Sequence, residues 1–90
     1  MKTFVASRIS SGDNAVFPDK LEIDAGKVIY YKGTILGYKS IIIQRHKIAS
    51  VRIKANVLFA DVIIESTGGA PIVAHGFTKN DARRIIELLS

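Results

Sequence analysis

Few side chains in this sequence could do chemistry. His46 and His75 are the only imidazoles, and the chain has no cysteine. Without thiolates, a metal site would need those histidines grouped with carboxylates, and no His, Asp and Glu cluster occurs at ligand spacing. His46 sits between Arg45 and Lys47, where a cation would be repelled, and it reads as a polar strand-end residue. His75 alternates outward beside Gly76, with no neighbour in the sequence to orient its ring. Asp61 and Glu65 share a face of one strand, but four residues of extended chain put them about 13 Å apart. That is too far for an acid–base dyad. Ser10-Ser11-Gly12 and Gly68-Gly69 read as turn residues, because neither has the strand–loop–helix context of a phosphate cradle. The expectation is a protein that is not an enzyme, with no catalytic, cofactor-binding or metal site and no cofactor.

What stands out is charge. The net charge of +5 comes from one block. Lys27, Lys32, Lys39, Arg45, Lys47, Arg52 and Lys54 lie in residues 27–54, which contain no Asp or Glu, while the segments on either side are each slightly acidic. If the strands here form one sheet face, Lys32, Lys39, Arg45, Arg52 and Lys54 are the candidate contacts for a partner or an anion. A solvated outer face, with lysines discouraging edge-to-edge pairing, explains the same charges without a ligand. Nucleic acid has the weaker claim among polyanions. Tyr30, Tyr31 and Tyr38 interleave with the lysines, but one of Tyr30 and Tyr31 must point inward, and no aromatic pair recurs at a readable spacing on adjacent strands.

The elements that must position these residues are mostly strands. Alternation and turn residues place strands at about 3–9, 20–24, 27–32, 38–46, 48–54, 58–66 and 71–77. Residues 3–9 also fit a helical face, so the conformation of residues 1–16 stays open. Ser10–Asn14 is a loop, and Pro18 marks a strand beginning or an edge. Gly33 and Gly37 bracket a hairpin connection of some length. Alternation points Leu21, Ile23, Ala49, Val51, Ile53, Leu58, Ala60, Val62, Ile64, Ile72 and Ala74 inward. Ile41-Ile42-Ile43 implies partial burial of both faces, or an outer face covered by a neighbour. The period then changes to 3.6. Thr78 caps a helix at about 79–89, with Asp81 in a version of the capping box. Ala82, Ile85, Ile86 and Leu89 form its apolar stripe. A helix this short must dock that stripe on the sheet. The fold class expected is mainly β (α+β): seven antiparallel strands as a bent barrel or two packed sheets, capped by one C-terminal helix.

Ninety residues form one domain, too small to bury more than roughly 60–65% of its unfolded surface. The remaining sources of stability are packing and self-association. An apolar content of 48% and a mean hydropathy of +0.23 leave apolar surface for a partner. No signal peptide is read at the N-terminus, and no aliphatic run is long enough to span a bilayer. The expected location is cytoplasmic, with peripheral attachment to the membrane as an option.

Several segments together resemble the bacterial PH domains of the pleckstrin-homology-like superfold. They are Phe17-Pro18-Asp19-Lys20-Leu21-Glu22-Ile23, Val28-Ile29-Tyr30-Tyr31-Lys32-Gly33 and Ile48-Ala49-Ser50-Val51, then Leu58 to Gly69, and Gly76-Phe77-Thr78 leading into Asp81-Ala82. These are packing and turn patterns, so the resemblance bears on fold more than on function. Two features depart from eukaryotic PH domains. There is no Trp for the C-terminal helix, and the loop Ser10–Asp19 lacks Lys and Arg while carrying Asp13 and Asp19. The resemblance therefore argues against inositol-phosphate recognition at that loop. It implies a binding or scaffold module acting through protein–protein contacts or self-association, with a homo-oligomer as one outcome. The alternative is peripheral binding to an anionic membrane or other polyanion through the basic face.

Overall fold

The computed structural model describes residues 2–6, 19–34 and 37–89. Among the described residues seven strands follow one another: β1 (Lys2–Val5), β2 (Lys20–Ile23), β3 (Lys27–Thr34), β4 (Gly37–Gln44), β5 (Ile48–Ala55), β6 (Phe59–Ser66) and β7 (Ile72–Thr78). A short 3-10 turn, Arg45–Lys47, joins β4 to β5, and a helix α1 (Lys79–Leu89) closes the chain. The strands form two antiparallel sheets, β1-β2-β3-β4 and β5-β6-β7, each in chain order. Residues 7–18 and 35–36, including most of the acidic loop expected before β2, lie outside the described residues.

Period-two burial produces the core. In the four-stranded sheet, Phe4, Leu21 and Tyr30 line up across the inner face, and beside them Ile23, Val28 and Ile43. The three-stranded sheet contributes Ala60, Val62, Ile64, Ile72, Ala74 and Phe77, and the helix adds Ala82 and Ile85. All of these are buried in one cluster. Leu88 and Leu89 pack on its margin, and Ile86 is half-buried, so the helix turns slightly from the stripe expected. Helix α1 lies against β5, β6 and β7 and reaches the other sheet through Arg84, which stands 6.0 Å from the Phe4 ring. The Thr78 hydroxyl accepts the Asp81 N–H at 3.2 Å, the N-cap that the sequence pattern implies.

Two irregularities change which side chains reach the core. In β5 the register slips between Ile48 and Ser50, a bulge that leaves Ala49 exposed. Strict alternation pointed Ala49 inward. The slip instead lets Ile48 and Val51 both pack on the core, gaining larger apolar side chains there. In β7, His75 and Gly76 together oppose Asp61, since Ala60 pairs with Phe77 and Val62 with Ala74. Gly76 sits at φ +83°, a conformation in which a side chain is strained. Leu58 was also expected inside; it belongs to the β5–β6 turn and is exposed.

Asp19 is the main surprise among the polar residues. It is only 5% exposed, although in the sequence it is the last residue of a loop, Ser10–Asp19, that carries Asp13 as well and no Lys or Arg. Its carboxylate accepts the Tyr30 hydroxyl at 2.7 Å and the Gly33 N–H at 3.1 Å, and its carbonyl accepts the Ala6 N–H at 2.8 Å. The residue thus pins β1 and β3 together at the entry to β2. Asp24 does a smaller job at the β2–β3 turn, accepting the N–H groups of Gly26 and Lys27 at 2.8 and 2.9 Å. The Gly26 N–H is the main cause of the lowered pKa of Asp24.

Candidate interaction surface

The four-stranded sheet has one face on the core and one face outward. Across the outer face run two rows of side chains, Val5–Lys20–Tyr31–Ser40 and Thr3–Glu22–Ile29–Ile42. Tyr38 lies beside the first row, opposite Gly33. The rings of Tyr31 and Tyr38 meet edge to face with centroids 6.2 Å apart, and the Lys20 ammonium stands 5.4 and 4.6 Å from them. An aromatic pair on adjacent strands, which the linear spacing did not reveal, is therefore created by the hairpin register. Ile42 is 59% exposed, and Val5 and Tyr38 are exposed as well. Of the three successive isoleucines only Ile43 is buried; among the described residues nothing covers the outer side of Ile42.

β4 ends this sheet: no described strand pairs with its far side. It is eight residues long, and its burial pattern is exposed at most positions. Next to it, a cleft of about 420 Å³ is lined by Ile42, Ile43, Gln44 and Lys47 and by the β6–β7 turn at Ser66–Gly69. The Thr67 N–H donates to the Lys47 carbonyl at 2.9 Å, fixing the turn against the 3-10 corner.

The five cations expected on one face are divided by the fold. Lys32 and Lys39 stand directly opposite each other on β3 and β4, at the end of the four-stranded sheet. Arg52 and Lys54 lie on the outer face of the other sheet, opposite Ile63 and Asp61. Arg52 is paired with the Glu65 carboxylate at the surface. Arg45 belongs to neither sheet. Its guanidinium is half-buried, donating to the Leu88 carbonyl at 2.9 Å and toward the Asp24 carbonyl at 3.5 Å. It serves as a C-terminal cap for α1, satisfying a carbonyl that has no partner within the helix. The corner at Arg45–Lys47 is the reason for the division: the basic block spans the point where the chain leaves one sheet for the other.

On the outer face of the three-stranded sheet, the His75 ring has a partner after all. Its Nδ1 lies 3.2 Å from Asp61 Oδ2, while Asp61 Oδ1 accepts the Gly76 N–H at 3.2 Å. The β7 bulge makes this contact, because the extra residue swings His75 over Asp61. Among the described residues, no group of three or more His, Cys, Asp and Glu side chains could hold a metal ion. Nor is any helix among them long and apolar enough to cross a membrane.

Comparison with known proteins returned no match to a family model, a curated protein or a solved structure.

Proposed function

We propose that this chain is a non-enzymatic binding or scaffold module of the pleckstrin-homology-like kind, acting through protein–protein contacts or self-association. Four antiparallel strands, then three, then a helix accord with that reading of the fold. The observation that carries the functional part is the open edge of β4 beside exposed Tyr38, Ile41 and Ile42. An added strand would satisfy the backbone groups of that edge and bury its aliphatic side chains. The register we infer for a second copy is two-fold pairing about Ile41, which would set Ser40 against Ile42 and Lys39 against Ile43. In that register the two Lys39 ammonium groups do not meet. Such a contact joins two four-stranded sheets into one.

The test is sedimentation equilibrium over a range of protein concentrations. The expected result is reversible association that Ile42→Lys weakens by about tenfold or more, while circular dichroism stays unchanged. A wild-type chain that remains monomeric at high micromolar concentration, or an Ile42→Lys variant that associates equally well, refutes the reading. The alternative, an anionic membrane or other polyanion bound through the basic block, draws on fewer groups than the sequence implied. With Arg45 capping the helix and Arg52 paired to Glu65, the five candidate contacts reduce to Lys32, Lys39 and Lys54.

A further inference from the structure

The hairpin between β5 and β6 breaks the local rule for a tight turn. Asn56 and Phe59 close it: the Asn56 N–H donates to the Phe59 carbonyl at 2.9 Å, and the Phe59 N–H donates to Asn56 Oδ1 at 3.0 Å. Between them stand Val57 and Leu58, 87% and 73% exposed, more than any other large hydrophobic residue described. Two-residue hairpin loops normally use Gly, Asn or Asp, which tolerate positive φ. Here no described residue other than glycine has positive φ, so the turn carries two bulky side chains in ordinary backbone conformations. The Asn56 side chain holds this turn closed, so the aliphatic pair is presented on a fixed base. Polar residues would suit the turn better and keep it soluble. Local rules broken without a gain in folding point to a function.

The surroundings of the tip name the kind of partner. Lys54 is exposed near the end of β5, and its cross-strand neighbour Asp61 is engaged by His75 and the Gly76 N–H. Phe59 pairs with Thr78, so the exposed Lys79 that follows emerges at the same end of the sheet. An aliphatic pair at the apex with cations on the strand ends behind it matches an anionic bilayer, with apolar boundary below and phosphates above. An apolar pocket in a protein would fit the pair but would have no need of the cations. The apex reaches one or two residues past its closing pair, roughly 3–7 Å, which suits the interfacial layer. We propose that the Val57-Leu58 hairpin inserts shallowly into anionic membrane surface, with Lys54 and Lys79 on the lipid phosphates. This site is separate from the β4 edge.

The chain has no tryptophan, so Leu58→Trp places a single reporter at the apex. Its emission is to be followed as vesicles are added, either phosphatidylcholine alone or phosphatidylcholine mixed with phosphatidylglycerol. Flotation of the wild-type chain and of Val57→Ser/Leu58→Ser gives partitioning in parallel. The expected results are a blue shift with the anionic vesicles and weak response to phosphatidylcholine alone. Partitioning should fall by about tenfold or more in the double serine variant, with unchanged circular dichroism. High salt should weaken the wild-type interaction. Absence of binding, equal binding to both vesicle types, an unshifted emission or full retention in the double serine variant each overturns the proposal.

Discussion

Replacing Asp19 by Ala is the sharpest test of how this fold is held together. The carboxylate receives the Tyr30 hydroxyl and the Gly33 N–H, and all three groups are buried. Removing it strands one hydroxyl and one backbone N–H away from water. A buried donor left without its acceptor costs about 1–3 kcal/mol, and a hydrogen bond to a charged group contributes about 1.5–3. The combined loss should be about 3–5 kcal/mol, allowing for some local relaxation. Domains of this length are stable by roughly 5–13 kcal/mol, so the variant should remain folded in the cold but melt early. At roughly 4–8 °C per kcal/mol, the midpoint should fall by about 12 °C or more. Thermal melts by circular dichroism measure this directly. A double-mutant cycle with Tyr30→Phe isolates the pair: the two losses should be less than additive by about 1–3 kcal/mol, because deleting the hydroxyl removes the group that Asp19→Ala orphans. A cost below about 1 kcal/mol, or strict additivity, would show that Asp19 does not act as described.

Burial, reinforced by the hydrogen bond to Asp19 and its charge, pushes the Tyr30 hydroxyl above its ordinary pKa. A raised folded-state pKa leaves stability intact below the unfolded value of about 10 and drains it as pH climbs above that. Urea midpoints should therefore drop above pH about 10 in the wild type, and Tyr30→Phe should flatten that part of the profile. Arg45→Ala should destabilise the chain by about 1.5–3 kcal/mol in urea melts, since the bond to Leu88 is charge-assisted and half-buried. Arg52→Ala should cost less than about 1 kcal/mol, because its pairing with Glu65 is exposed; equal effects would contradict the two placements. Thr78→Ala should cost about 1 kcal/mol by loss of the cap. Ile85→Ala should cost about 2–5 kcal/mol by opening the core. Both are measurable in the same melts.

The Arg45 result bears on any charge-reversal experiment. Arg45→Glu would injure the end of α1 as well as remove a surface cation, so lost binding in that variant could be lost folding. Lys32, Lys39 and Lys54 are the informative positions for a polyanion, being exposed. Lys32 and Lys39 are like charges directly across two strands, a mildly unfavourable pair that a nearby anion would relieve.

The positions of the strands along the chain and the facing of their side chains were largely legible in the sequence because both are short-range. Leu21 and Ile23, and Ile72 and Ala74, alternate with polar or exposed neighbours, Val62 and Ile64 with half-buried ones, and each pair is buried. Thr78 and Asp81 lie three residues apart, so the cap was legible too. Errors arose where alternation breaks. The slip at Ala49 and the bulge at His75-Gly76 depend on how two strands register, and neither strand alone encodes that. Leu58 looked buried because it is aliphatic and two residues from Ala60; only the closed Asn56–Phe59 turn puts it outside.

By itself, then, the sequence determined the local periods, the capped helix and the amount of positive charge in residues 27–54. Tertiary structure decided what that charge can do. It placed the 3-10 corner inside the basic block, sent Lys32 and Lys39 to one sheet and Arg52 and Lys54 to the other, and spent Arg45 on a helix end 43 residues away. It likewise buried Asp19 under a tyrosine 11 residues on and brought His75 to Asp61. Periodicity is written in neighbours a few residues apart, whereas these pairings depend on where the folded chain returns. Charge on a strand says nothing about which face of which sheet will carry it.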